Sequence, residues 1–262
     1  MGSDSFLFVY PLLGILAGLL AGMLGIGGGL VLVPAFILLF HLQGMDGLAL
    51  VHLAIGTSLG TITLTAVASA WAHHRRGAVD WPVMLSMTPG LLLGALSGAW
   101  LADQMSTVML RRVFGGFEIL VALYMITALK VRSQQSLSGL AGQSFAGFSI
   151  GGLSGLVGIG GGTLTVPWLV WQGRDMRRAI ATSAACGMPI GLAGTLGFVI
   201  FGGAVVNPVS SGYVYWPAVI GVGLFSVLTA PVGAHLAHRL PLVWLRRIFA
   251  LLLLLTGMRL LY

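Results

Sequence analysis

The run GLLAGMLGIGGGLVLVP (residues 18–34) returns later in the chain as GGLSGLVGIGGGTLTVP (151–167). Ten of the 17 aligned positions are identical, at an offset of 133. Each copy sets GIGGG inside a long apolar stretch and ends in a proline, Pro34 or Pro167. Four glycines in five residues interrupt a regular helix, because each costs about 1 kcal/mol against Ala in a helix interior.

The duplication extends outward from these two runs. Trp81-Pro82 matches Trp216-Pro217 at an offset of 135, and Leu110-Arg111-Arg112-Val113-Phe114 matches Leu245-Arg246-Arg247-Ile248-Phe249 at the same offset. Thr57-Ser58 matches Thr182-Ser183 at 125, because the preceding loop is longer in the first half. Self-similarity of this kind is a tandem repeat. The units are expected at 1–132 and 133–262, with the join near 130–138, and together they make one membrane domain.

Composition places the chain in lipid. Of 262 residues, 57% are apolar and 7% are charged, where a soluble domain carries about 25% charged residues. The chain therefore reads as a multi-pass membrane protein whose first partner is the bilayer. The net charge of +7 fits basic residues that set topology at helix ends, and nucleic acid is not expected. The single cysteine, Cys186, reads as a small packing residue. No cleavable signal peptide is expected: the apolar run from Phe6 has no cationic segment before it and leads into the repeat.

Apolar segments fall at 6–40, 48–72, 81–102, 110–129, 137–171, 179–201, 213–237 and 242–261. A membrane helix needs about 20 residues. Six segments fit one crossing each, and the two that hold GIGGG, at 35 residues, are too long for one. If those two cross once, the basic residues divide eight against five between the faces. If each turns back at its glycines, one face holds ten (Arg75, Arg76, Lys130, Arg132, Arg174, Arg177, Arg178, Arg239, Arg246, Arg247) and the other holds three (Arg111, Arg112, Arg259). The second division obeys the positive-inside rule. The expected fold is thus an all-α polytopic membrane protein of two inverted repeats. Each repeat is a Gly-broken helical hairpin plus three transmembrane helices, and both termini lie outside. Glycines at four-residue spacing, such as Gly14, Gly18 and Gly22 or Gly90, Gly94 and Gly98, suit close helix contact and would also allow a homodimer.

Breaks at matching places of two halves point to a binding site near the membrane midplane. Non-helical backbone at that depth must be buried by protein or line water. The helices that restart near Leu30 and Thr163 would aim free N–H groups at the turns, and a helix N-terminus favours an anion. Glycine lets an oxyanion approach the backbone closely. The expected binding residues are Gly25, Gly27, Gly28 and Gly29, then Gly158, Gly160, Gly161 and Gly162. Thr57, Ser58, Thr182 and Ser183 would add hydroxyls, as would Thr163. Thr163 and Thr165 have the alternative of bonding back to their own helix.

Glu118 is the one acidic residue inside a spanning segment. Such a carboxylate suggests proton handling, here a coupling proton. Its alternative is an ion pair with Arg111 or Arg112. The histidines, among them His52, His73, His74, His235 and His238, sit near helix ends and offer no metal-ligand spacing, so no metal and no cofactor are expected. GIGGG is not a dinucleotide fingerprint, since Leu30 and Thr163 fall where the last glycine belongs. No nucleophile triad or Walker motif is present, and the chain does not read as an enzyme.

The doubled GxGGG-x4-P phrase, the Thr-Ser pair after each copy and the duplicated length resemble the TauE/SafE family of sulfite and organosulfonate exporters, over essentially the whole chain. The resemblance implies a secondary transporter in the cytoplasmic (inner) membrane of a bacterium. It would export sulfite or a C2–C3 organosulfonate such as sulfoacetate by alternating access, with the substrate held at the convergent glycine tips. A carrier for another small anion such as a carboxylate, an anion channel, and a scaffold whose glycines only pack are the alternatives.

Overall fold

Each long apolar segment folds as two helices separated by its glycines. The computed structural model describes residues 9–25, 28–45, 47, 49–127, 139–203, 208–237 and 243–261. α1 (Val9–Leu24) and α2 (Gly29–Leu42) flank the first GIGGG, and α6 (Leu140–Val157) and α7 (Gly162–Trp171) flank the second. The chain doubles back at both breaks. Gln43, just past α2, donates its side-chain amide to the Tyr10 hydroxyl in the first turn of α1, at 2.8 Å. Gln143, in the first turn of α6, donates to Gln172 Oε1 just past α7, at 3.1 Å. Each pair of helices therefore begins and ends at one level.

Three helices follow each hairpin: α3 (Leu50–His74), α4 (Trp81–Asp103) and α5 (Thr107–Thr127), then α8 (Met176–Ile200), α9 (Trp216–Ala237) and α10 (Val243–Leu261). A two-residue antiparallel ladder of β1 (Ser210–Ser211) and β2 (Val214–Tyr215) precedes α9. Helix starts follow local chemistry. Asp80 caps α4 by accepting from the Val83 N–H, ahead of Pro82 in the first turn, and Asp175 caps α8 by accepting from the Arg177 N–H.

α3 and α8 form the centre. They run antiparallel, with Gly56 against Phe198, Leu59 against Gly194, Thr63 against Gly191 and Ala66 against Gly187. α5 and α10 also run antiparallel, with Gly115 against Leu260 and Glu118 against Gly257. Two further pairings, α1 with α9 and α4 with α6, cross between the sequence halves and run parallel. Gly14, Gly18 and Gly22 of α1 lie on Val222, Ser226 and Ala230 of α9. Gly90, Gly94 and Gly98 of α4 lie on Ser144, Phe148 and Gly152 of α6. Backbones touch here: a Cβ on Gly94 would fall 2.2 Å from the Phe148 carbonyl oxygen, and one on Gly22 would fall 2.1 Å from that of Ala230.

The outer surface is apolar, with Leu85, Leu93, Leu120, Ile220, Leu224 and Leu228 all exposed, as lipid contact requires. Among the described residues, α3, α4, α8 and α9 are long and apolar enough to cross a membrane. α5 was expected to span as well, but it carries Arg111, Arg112 and Glu118 within its 21 residues. The two ends of the bundle differ. At one end Arg76 Nη2 lies 2.9 Å from His235 Nδ1, and Arg174 pairs with Asp80, so Arg75, Arg177 and Arg178 share that end. At the other end Tyr213 donates to Asp103 at 3.2 Å, and His52 Nε2 lies 3.0 Å from the Ala102 carbonyl oxygen. Burial raises the Tyr213 phenol above its ordinary range, and neighbouring Asp103 adds to the shift, so the phenol remains a donor at neutral pH. His52 and His73, near the ends of α3, are inside the protein, 4% and 1% exposed.

Candidate functional site

The two glycine turns abut. Gly25 continues the last turn of α1 by donating its N–H to the Ala21 carbonyl, and it then enters the left-handed region at φ 67°. Gly158 ends α6 the same way at φ 72°, and Ile159 N–H bonds back to the Ser154 carbonyl at 3.0 Å. That residue in left-handed conformation at a helix end is the usual glycine stop. A Cβ on Gly29 would sit 2.6 Å from the Gly158 carbonyl oxygen and 2.7 Å from Ile159 Cα, so only a glycine lets the second turn come this close. Gly25, Gly28 and Gly29, and Gly158, Gly160, Gly161 and Gly162, are all buried. Gly27 lies outside the described residues, as does the expected join at 130–138.

α2 starts after Gly28, itself left-handed at φ 76°, and α7 starts after Gly161. Neither N-terminus has a side-chain cap. The first N–H groups of a helix have no partner within it and carry its positive end.

The matched Thr-Ser pairs join the two halves, the serines at these turns and the threonines at the starts of α9 and α4. The Ser58 hydroxyl donates to the Gly158 carbonyl at 2.8 Å, and the Ser183 hydroxyl donates to the Gly25 carbonyl at 3.4 Å and to Ile180 at 2.8 Å. Thr57 Oγ1 accepts from the Tyr215 N–H at 3.0 Å, and Thr182 Oγ1 accepts from the Asp80 N–H at 2.9 Å. Apart from Ser183 to Ile180, which lies within α8, each bond links one half of the sequence to the other, in corresponding positions. In this conformation the two serine protons are committed to backbone carbonyls. Thr163 and Thr165 do not bond back to their helix: both hydroxyls are buried and have no hydrogen-bond partner.

Glu118 is not among these groups. It is fully buried between α5 and α10, its Cβ beside Gly257. Neither carboxylate oxygen has a hydrogen-bond partner, so neither Arg111 nor Arg112 reaches it. Among the described residues no cluster of His, Cys, Asp and Glu could hold a metal.

A small cavity opens beside the turns, lined by Gly25 and Ser183 and also by Ala21, Ala66, Ser69, Gly161, Ala184 and Gly187. Most of these residues escape a reading of the sequence, because they do not repeat. At the fixed offset of 125, Ser69 corresponds to Gly194, Ala184 to Leu59 and Gly187 to Ile62.

The comparisons with known proteins agree with this architecture. The chain is 34% identical over 256 residues to a probable membrane transporter protein of Haemophilus influenzae, covering 95% of this chain and 96% of that one. It is 27% identical over 235 residues to a probable membrane transporter protein of Methanocaldococcus jannaschii, covering 87% and 84%. It is 24% identical over 254 residues to one of Bacillus subtilis, covering 94% and 97%. No solved structure matches it. The family model described as sulfite exporter TauE/SafE matches residues 10–260, and with its paired glycine turns inside a bundle of apolar helices the chain belongs to that family of multi-pass membrane transporters.

Proposed function

We propose that this protein is a secondary transporter that exports a small oxyanion, sulfite or a C2–C3 organosulfonate, by alternating access. The observation that carries the reading is the contact between the two glycine turns, behind which α2 and α7 begin without caps. Backbone N–H groups and two positive helix ends suit an oxyanion and repel a cation. The buried, unpartnered hydroxyls of Thr163 and Thr165 add donors on the second half alone. Gly25, Gly27, Gly28, Gly29, Gly158, Gly160, Gly161 and Gly162 would approach the ligand through their backbone. Ser58 and Ser183 would hold the turns in register and reach the ligand where the turns part, and Thr57 and Thr182 would tie the helices that carry them to the starts of α9 and α4.

The antiparallel pairing of α3 with α8 and of α5 with α10, which are repeat counterparts, supports two inverted units at 1–132 and 133–262. Rocking one against the other would expose the turns to either face in turn. The Arg-rich end is the cytoplasmic side of a bacterial inner membrane in this reading, and both termini lie outside. Glu118, fully buried with unpartnered oxygens, is the group available to carry a coupling proton.

The test is thermal unfolding of the purified full chain with sulfite, sulfate, sulfoacetate, taurine, acetate and chloride. A ligand of the folded state raises the melting temperature by mass action, by an amount that grows with its concentration over Kd. A shift with sulfite or a sulfonate, absent with acetate and chloride, is expected. Equal responses to all six would remove the oxyanion site.

A further inference from the structure

We infer that Ser69 is a further substrate-binding residue, whose hydroxyl meets the oxyanion in the cavity it lines beside the glycine turns. The inference rests on the function proposed above and adds to it a residue.

Three observations carry it. Ser69 is 1% exposed, lines the cavity, and its hydroxyl has no hydrogen-bond partner. A buried hydroxyl is nearly always satisfied, so an unpaired one aimed into a space is a donor awaiting an acceptor. The same space is bounded by Gly25 of one turn and Gly161 of the other, which precedes the uncapped start of α7. The space now has room for about one water; an anion seated there once the turns part would meet a hydroxyl, glycine backbone and a positive helix end together.

The third observation is the broken symmetry. The corresponding place in the other half is filled. Leu59, the counterpart of Ala184, packs its Cδ1 2.9 Å from where a Cβ on Gly194 would be. Ile62, the counterpart of Gly187, reaches to 2.9 Å from the corresponding point on Gly29. Small residues in the second half thus leave a cavity where large ones in the first half close it. Ala66 and Ser69 stand in the later half of α3, towards Arg75 and Arg76. The cavity therefore lies on the Arg-rich side of the turns, and every residue that lines it is buried.

The experiment is the sulfite titration of melting temperature on the full chain, for the wild type, Ser69→Ala and Ala184→Leu. A hydrogen bond from a hydroxyl to an ionised acceptor is worth about tenfold in affinity. Ser69→Ala should raise the half-saturating sulfite concentration about tenfold, with a ligand-free melting temperature equal to or above that of the wild type, since it deletes an unsatisfied buried group. Ala184→Leu, which copies the residue of the first half and overfills the cavity, should abolish the sulfite shift and lower the ligand-free melting temperature. If the wild type responds to sulfite and Ser69→Ala responds at the same concentrations, the inference is overturned and the oxyanion function stands. If the wild type responds to no oxyanion, the function proposed above falls and the inference with it. Ser69→Ala decides the matter alone should Ala184→Leu not fold.

Discussion

At the residue scale, what distinguishes the glycines of the two turns from other left-handed glycines is what surrounds them. Gly25, Gly158, Gly44 and Gly77 all have φ between 64° and 73°. A side chain at any of them suffers the left-handed penalty of about 1–2 kcal/mol. Gly44 and Gly77 have nothing within 4 Å of a built Cβ, whereas Gly25 would press on the Ile180 carbonyl at 2.7 Å and Gly158 on Ile55 Cα at 3.0 Å. The steric term then adds to the backbone term, and overpacking of this kind costs about 1–3 kcal/mol more. Gly44→Ala and Gly77→Ala should lower the melting temperature slightly, and Gly25→Ala and Gly158→Ala clearly further. Differential scanning fluorimetry of the four variants in one detergent checks the order. Equal losses would mean that the turns yield easily and that their contact is not what holds the two halves together.

At the element scale, the stripes of glycine on α1 and α4 are packing surfaces, and their partners come from the other half of the chain. Lipid offers little hydrophobic drive for helices to associate, so contact distance and fit supply the energy. Gly18→Leu would drive its Cβ to 2.1 Å from Thr229 Oγ1 and 2.4 Å from the Ser226 carbonyl oxygen, and it should separate α1 from α9. Gly116→Leu on α5, with nothing within 4 Å, should be neutral. The yield of monodisperse protein on gel filtration distinguishes them, with Gly18→Leu expected to lose most of its folded peak. The four-residue spacing made these faces legible in the sequence, and so did the doubled GIGGG the two hairpins. The choice of partner helix was not legible, because a stripe of glycines specifies closeness and not what it approaches. The Thr-Ser pairs illustrate the same limit. Their repetition marked them, but their acceptors and donors are backbone groups of Gly25, Gly158, Asp80 and Tyr215, and a backbone group has no signature in sequence. Ser69 and Ala184 were hidden for the opposite reason: the cavity exists because the repeat departs from itself there.

At the scale of the whole molecule, the distribution of charge predicts an orientation that can be measured. Arg75, Arg76, Arg174, Arg177 and Arg178 stand at one end of the bundle, with Arg111, Arg112 and Arg259 at the other. Short cationic loops are retained in the cytoplasm during insertion, so the first end should face inward. The loop between α2 and α3 belongs to the opposite end and should face outward. Gly47 there is exposed and has nothing within 4 Å of a built Cβ, and Arg174 at the Arg-rich end is 40% exposed. Both accept a cysteine without disturbing a packed contact, although Arg174→Cys gives up its ion pair with Asp80. That loss is small, since an exposed pair contributes at most about 1 kcal/mol. Cys186 is fully buried and is removed by Cys186→Ser so that one thiol remains. In intact cells an impermeant maleimide should label Gly47→Cys and leave Arg174→Cys untouched. In inside-out vesicles the pattern should reverse. Labelling of both variants from the same side would refute the antiparallel hairpin geometry as a membrane topology. A clean exchange of the two patterns would keep the inverted architecture but turn it over, with the Arg-rich end outside.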